Sequence, residues 1–70
     1  MIGYIYDPET RIIATKIDNV SKCNDTTIKG NTSIARLGTG QYVITDQEFS
    51  EGEILPVVTD KRSEIPVLSE

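Results

Sequence analysis

The side chains best suited to chemistry in this sequence surround a turn in the middle of the chain. Lys29 and Arg36 lie on two predicted strands that flank this turn, which contains Asn31 and Thr32. If the two strands pair, both cations approach the turn, where amide and hydroxyl groups can add hydrogen bonds to an anion. An aromatic ring beside them would offer a stacking surface for a base. The predicted ligand-binding residues are therefore Lys29, Asn31, Thr32, Arg36 and, as the aromatic side chain, Tyr42.

A simpler interpretation of the same residues stays open. The cations are then ordinary charge on a sheet surface, and the tyrosine is part of the core. Residues 30–33, Gly-Asn-Thr-Ser, are then a turn whose polar side chains bond to their own backbone. The sequence does not decide between the two interpretations.

The composition gives little support for catalysis. The sequence has no histidine, which removes the most common proton carrier, and Cys23 lies in a polar turn without a candidate base. A cluster of carboxylates could hold Ca²⁺ or Mg²⁺ or act as an acid–base pair, but its spacing favours a solvated acidic turn. We therefore expect a protein that is not an enzyme and that uses no cofactor or metal. The carboxylates of this cluster are Asp46, Glu48, Glu51 and Glu53.

Charge and length restrict the expected partners. The net charge of −4 has the wrong sign for binding phosphate backbones, so generic nucleic-acid binding is not expected. The sequence has no signal-peptide pattern and no apolar stretch long enough to cross a membrane, so a cytoplasmic location without membrane association is expected. So short a chain buries a core worth only about 3–5 kcal/mol, and its single cysteine cannot close an intrachain disulfide. Self-association is the remaining source of stability, so we expect a homo-oligomer.

The pattern of β-branched and aromatic residues predicts an all-β fold, a small meander of about six short strands that forms a barrel or a sandwich. The strongest signals are two hairpins, one across the turn at residues 7–10 and one across residues 38–40, Gly-Thr-Gly. At most one helical turn is expected, near residues 46–51. The predicted strands are residues 2–7, 11–17, 26–29, 33–37, 41–45 and 53–59, followed by an extended segment at 63–68.

Residues 1–70 are predicted to form a single domain. The C-terminal segment, residues 62–70, contains the apolar side chains Ile65, Val67 and Leu68, which need cover. Two alternatives remain open for it. The segment either packs on a neighbouring subunit as an oligomerisation arm or folds back on its own chain.

The opening of the chain resembles that of many short β-rich accessory proteins of bacteriophages and prophages. The resemblance covers about the first quarter of the chain, through the motif YIYDPET at residues 4–10 and IIATKI at residues 12–17. Some proteins of this kind are non-catalytic oligomers that act against host defence, including by sequestering nucleotide signals. The resemblance implies that such a role is possible here, and it assigns no binding residue.

Our leading hypothesis from the sequence is a cytoplasmic, homo-oligomeric binding protein that sequesters a small anionic, nucleotide-like ligand at or near a subunit interface. The alternative is a protein–protein interaction module, either an inhibitor of a host protein or a phage assembly component. Such a module would offer its edge strands or its C-terminal segment to the partner. A weak enzyme using Glu48 and Glu51 is the third hypothesis.

Overall fold

Six short strands and one 3₁₀ turn make up the regular structure of residues 1–69, which are the residues that the computed structural model describes. The 3₁₀ turn, η1, spans Arg62–Glu64. The strands are β1 (Ile2–Tyr6), β2 (Ile13–Ile17), β3 (Lys22–Cys23), β4 (Thr27–Lys29), β5 (Ile34–Arg36) and β6 (Gln41–Thr45). Within residues 1–69, no helix is long and apolar enough to span a bilayer.

The strands form two antiparallel three-stranded sheets. The first sheet has the order β2–β1–β6 and the second has the order β3–β4–β5, and no strand pairing joins them within the described chain. The all-β prediction is confirmed, but the sheets do not close into a barrel. They pack on a shared core instead, formed by the buried residues Ile5, Ile17, Val20, Cys23, Ile28, Tyr42 and Ile44.

The first predicted hairpin is confirmed, and its turn follows the expected chemistry. The Asp7 carboxylate accepts the Glu9 N–H at 2.8 Å, and the Asp7 carbonyl accepts the Arg11 N–H at 2.7 Å. β1 and β2 then pair from Tyr6 opposite Ile13 to Gly3 opposite Ile17. β2 begins two residues later than predicted, since Arg11 has a left-handed φ of 61° and turns its carbonyl toward a different segment.

The second predicted hairpin is wrong. The prediction of one meander of six strands is wrong with it, because the strands form two separate sheets. Residues 38–40 do form a turn, in which the Gly40 N–H donates to the Leu37 carbonyl at 3.0 Å. The two strands that it joins belong to different sheets, because β5 pairs with β4 and β6 pairs with β1. The reason is burial: Tyr42 to Thr45 are all buried, so β6 needs a sheet that is covered on both faces.

The second face of the first sheet is covered by residues 46–58. Tyr4, Ile13, Val43 and Leu55 are buried there, with Phe49 packed against them. No helical turn forms at residues 46–51, because the Tyr4 hydroxyl donates to the Gln47 carbonyl at 2.8 Å and accepts the Phe49 N–H at 2.7 Å. The backbone groups that a helix would use are therefore held by a buried side chain. The single helical turn of the described chain is η1.

Two further predictions about strands are wrong. Residues 53–59 make only one isolated bridge, between Ile54 and Ile12, and are otherwise irregular. Conversely, β3 lies where a polar turn was expected. So short a strand forms because it pairs with β4 and because Cys23 is buried in the shared core. Neither cause can be seen in residues 22 and 23 themselves.

The C-terminal segment folds back on its own chain in residues 62–69. Val67 forms a parallel bridge with Cys23, the Cys23 N–H donates to the Pro66 carbonyl at 3.1 Å, and the Leu68 N–H donates to the Cys23 carbonyl at 2.8 Å. Ile65 packs against the shared core, whereas Val67 stays largely exposed. A role for this segment in oligomerisation stays a prediction, and Glu70 lies outside the described residues.

Candidate functional site

The outer face of the second sheet carries three cations, Lys22, Lys29 and Arg36, which we call the cationic face. Lys22 lies directly opposite Lys29, and Lys29 lies directly opposite Ile34. Residues opposite each other in an antiparallel pair share a face, as do residues two apart on one strand. The three cations therefore point to the same side, and all three are exposed. The opposite face of this sheet carries Cys23 and Ile28 and is buried in the shared core.

The cations of the cationic face differ from the remaining cations because their side chains have no partner among the described residues. Within residues 1–69, none of its three side chains forms an ion pair or a side-chain hydrogen bond. The other four cations of the chain are all engaged. Arg11 donates to the carbonyls of Leu55 and Pro56, Lys16 pairs with Glu48 at 3.7 Å, Lys61 pairs with Asp46 at 3.0 Å, and Arg62 pairs with Asp60.

The arrangement of the cationic face has an electrostatic cost. Like charges directly opposite each other on paired strands are destabilising, by an amount on the order of 0.2–1 kcal/mol. Lys22 and Lys29 are such a pair. Arg36 on β5 adds a third positive charge, diagonal to Lys29 on β4. The backbones of two residues in this diagonal relation are about 7–8 Å apart. An anion bound over this face would turn the repulsion into attraction.

The turn at residues 30–33 borders the cationic face at Lys29. The Gly30 N–H donates to the Ser33 carbonyl at 2.8 Å, which closes the turn. Asn31 and Thr32 are exposed at its tip, and their side chains make no hydrogen bond within the described residues. A shallow open depression runs from Lys29 along this turn to Ile34. Its polar groups are free to bind a ligand that approaches Lys29.

The structure brings together three of the five predicted ligand-binding residues and separates the other two from them. Lys29, Asn31 and Thr32 line one depression. Arg36 is on the same face as Lys29, because the two strands pair as anticipated, but it lies at the far end of β5 from the turn. Tyr42 lies away from Lys29, Asn31 and Thr32, beside Asn24 and Asp25 at the opposite end of β4 from the turn.

Tyr42 is a core residue whose ring is already occupied. Its side chain is 5% exposed, and the Arg62 guanidinium lies over the ring at 4.0 Å from the centroid. Arg62 also donates to the Tyr42 carbonyl at 2.8 Å, which holds the C-terminal segment against β6. A base could stack on Tyr42 only after displacing Arg62, so this tyrosine does not serve the cationic face as a platform.

Lys22 is the member of the cationic face that the sequence did not reveal. It lies in a stretch predicted to be a polar turn, so nothing placed it beside Lys29. The sequence offered one weak sign of a strand here, the alternation of a cation, Lys22, with a small apolar residue, Cys23. Its position depends on the pairing of β3 with β4, which is a tertiary feature.

Burial gives Tyr42 an unusual ionisation. Its burial and its contact with the Cys23 thiol raise the pKa of Tyr42 to about 12, although the Arg62 guanidinium acts in the opposite direction. The proton on the Tyr42 hydroxyl therefore stabilises the folded state. This stabilisation is fully present below about pH 10, the ordinary pKa of tyrosine, and is lost as the pH rises toward about 12. We expect the ionisation of Tyr42 alone to lower the unfolding free energy by about 2 kcal/mol between about pH 8 and pH 11.5.

Urea unfolding of the parent and of Tyr42→Phe at both pH values measures this contribution. Because phenylalanine has no proton to lose, the variant should lose about 2 kcal/mol less than the parent over the same pH interval. Equal losses in the two proteins would show that another group is responsible.

The acidic residues between 46 and 53 are held by their own chain. Lys61 donates to Asp46 at 3.0 Å, and this hydrogen bond holds the pKa of Asp46 below its usual value. Glu51 accepts the Lys16 N–H at 3.1 Å, and Glu53 accepts the Ser50 N–H at 3.0 Å. Within residues 1–69, no three His, Cys, Asp or Glu side chains are grouped so that they could hold a metal ion.

Comparison with known proteins found no match, whether with protein-family models, with curated proteins or with solved structures. The similarity of the opening segment to bacteriophage accessory proteins therefore stays a prediction. The candidate site rests on the contacts and charges of the cationic face and its bordering turn.

Proposed function

We propose that this chain is a non-catalytic binding protein that captures a small, phosphate-bearing anion on the cationic face. The observation that carries the proposal is the distribution of charge partners. Four of the seven cations are engaged with their own chain, and the three without a partner in the described residues lie together on one sheet face. A chain with a net charge of −4 thus keeps a local positive surface.

The chemistry of this surface favours phosphate over other anions. Lysine and arginine supply strong charge-assisted hydrogen bonds to phosphate oxygens, and Asn31 and Thr32 can add neutral hydrogen bonds at the border. Because Tyr42 lies elsewhere and is covered by Arg62, we assign recognition to the phosphate groups and not to a stacked base. A ligand with two or more phosphates would span Lys29 and Arg36, which sit diagonally on the sheet.

Sequestration fits this arrangement better than turnover. An open, charged face offers affinity without the enclosed geometry that catalysis requires. Within the proposal we keep the narrower role expected from the sequence: a cytoplasmic homo-oligomer of a bacteriophage or prophage that holds a nucleotide-like signal. Native mass spectrometry of protein purified from its producing cells would report the subunit count and any bound phosphate compound in one spectrum.

Titration of the ¹⁵N-labelled protein with sodium tripolyphosphate tests the site itself. We expect saturable shifts of the backbone amides of Lys22, Lys29 and Arg36, and an affinity that falls steeply with added salt. Replacing Lys29 by alanine should weaken binding about tenfold, since one charge-assisted hydrogen bond is lost.

Lys16→Ala is the matched control, because it changes the net charge equally but removes a cation that is already paired with Glu48. Its affinity for tripolyphosphate should stay within about twofold of the parent. If Lys16→Ala and Lys29→Ala weaken binding equally, the anion responds only to overall charge and the proposed site is wrong. ATP that binds much more tightly than tripolyphosphate would instead show that a base is recognised.

A further inference from the structure

β5 has an open outer edge. The Leu37 N–H donates to the Thr26 carbonyl at 2.9 Å, and the Gly30 N–H donates to the Ser33 carbonyl at 2.8 Å. Since hydrogen-bonded pairs alternate along an antiparallel ladder, Ala35 faces β4, and the backbone groups of Ile34 and Arg36 point away from the sheet. Within the part of the chain that the structure describes, these outward N–H and C=O groups make no hydrogen bond.

The other three outer strand edges are covered by the chain itself. On β2, the Ile13 N–H donates to the Glu53 carbonyl at 2.9 Å. On β6, the Ile44 carbonyl accepts the Lys61 N–H at 2.7 Å, and on β3 the Cys23 carbonyl accepts the Leu68 N–H at 2.8 Å. Proteins normally protect such edges, because an open one is a template for another strand. β5 therefore stands out as the edge that residues 1–69 leave unprotected.

We infer that the edge of β5 is a docking site for an extended acidic segment of another protein. The edge offers two N–H and two C=O groups, which suits the addition of one further strand. The cationic face supplies the charge complementarity, since the Arg36 side chain stands at the edge and Lys29 stands one strand behind it. This inference goes beyond the proposed function and does not depend on it, because the strand addition uses the outward backbone groups of Ile34 and Arg36, which a phosphate bound to the side chains of the cationic face does not use.

The side chains on β5 also define the pattern of the partner. Arg36 calls for an acidic residue directly opposite it, and Ile34, which is 61% exposed, calls for an apolar one two positions away. The segment that fits therefore alternates acidic and apolar residues at every second position, on the side of the sheet that carries the cationic face. The intervening residues of the segment would lie beside Ala35, on the opposite side of the second sheet.

A second copy of this chain fits the same edge less well. Antiparallel pairing of two β5 strands places Ile34 opposite Arg36 of the other copy. It also brings six cations, none of which has an acidic partner within residues 1–69, onto one continuous face, and their repulsion opposes the pairing. An acidic strand removes this repulsion, whereas a second copy doubles it.

Ile34→Pro tests the edge directly. Proline removes the outward N–H of residue 34, which β4 does not use, and proline is tolerated on the exposed side of an edge strand. The probe is a fluorescein-labelled peptide that repeats Glu-Thr-Val-Thr, which places glutamate and valine alternately on one side of the strand. Its binding is followed by fluorescence polarisation, with a peptide that repeats Lys-Thr-Val-Thr as its counterpart. The parent should bind the acidic peptide saturably and prefer it over the basic one. Ile34→Pro should weaken that binding about tenfold, while Ile34→Val, which keeps the N–H, should not.

Arg36→Glu keeps the inference testable if the proline variant folds poorly, because it reverses the charge at the edge without touching a backbone bond. Its preference should switch from the acidic to the basic peptide. Tripolyphosphate binding separates the two proposals: Ile34→Pro should keep it, and Lys22→Ala should weaken it about tenfold while still binding the peptide. Equal binding by the parent and Ile34→Pro, no preference between the two peptides, or a dimer of the parent that Ile34→Pro abolishes would each overturn the inference.

Discussion

A Gly30→Ala variant is expected to lose about 3 kcal/mol of unfolding free energy, most of the stability that a chain of this size commands. An added methyl group at residue 30 would lie 2.7 Å from the Asp18 carbonyl oxygen and 2.8 Å from a methyl group of Ile17. Both distances are far inside van der Waals contact, and Ile17 belongs to the shared core. Neither neighbour can withdraw without moving β2 or the turn that follows it. Urea unfolding followed by circular dichroism measures the loss.

Gly38→Ala is the matched control for this prediction. Gly38 has a left-handed φ of 61°, but an added methyl group there would meet nothing within 4 Å. The cost is then only that of an unfavourable backbone conformation, about 1–2 kcal/mol. Gly30 carries no such positive φ, so the two variants separate close packing from backbone strain. Similar losses for both would mean that residues 17–19 do not approach Gly30 as closely as described.

Ile28→Ala is expected to cost about 3 kcal/mol as well, by a different mechanism. Ile28 has no exposed surface and lies in the core that joins the two sheets, in reach of Gly3 on the central strand of the first sheet. Replacing a fully buried isoleucine by alanine removes apolar burial and leaves a cavity, which together cost about 2–5 kcal/mol. The loss should appear as a lower midpoint of urea unfolding with an unchanged slope.

Ile34→Ala controls for the chemical change, since the same substitution is made on the neighbouring strand at a residue that is 61% exposed. Its effect should stay within about 0.5 kcal/mol. A comparable loss in both variants would indicate that β5 is covered in solution, and a small loss for Ile28→Ala would mean that the second sheet packs only loosely on the first.

Local chemistry explains which parts of the fold were predictable. The hairpin at residues 7–10 depends on Asp7 and its immediate neighbours, so the sequence displays everything that the turn needs. The choice of partner for β6 is not local, because its residues pair with β1 near the start of the chain. The helical turn near residues 46–51 failed for the same reason: the competing hydrogen bonds come from Tyr4, more than forty positions earlier.

The candidate site was predictable to the same extent. Lys29, Asn31 and Thr32 are neighbours in the sequence, so placing them together required only the turn. Lys22 was missed because its strand is recognisable only beside β4. Tyr42 was placed at the site because its neighbours, Gln41 on one side and Val43 on the other, give no sign of which side of the strand faces the core. Its burial is decided by the second sheet and by Arg62, which lies twenty positions later.

The position of β1 at the centre of the first sheet also bears on how fast the chain folds. Ile2 pairs with Thr45 and Tyr6 with Gln41, so the β1–β6 ladder forms only after a loop of more than thirty residues has closed. Closing such a loop costs conformational entropy before any ladder bond compensates for it. Folding rates fall as contacts become more distant in sequence, and chains rich in such pairings fold in about milliseconds to seconds. The β1–β2 hairpin can form early, but the other edge of β1 stays unpaired until β6 pairs with it.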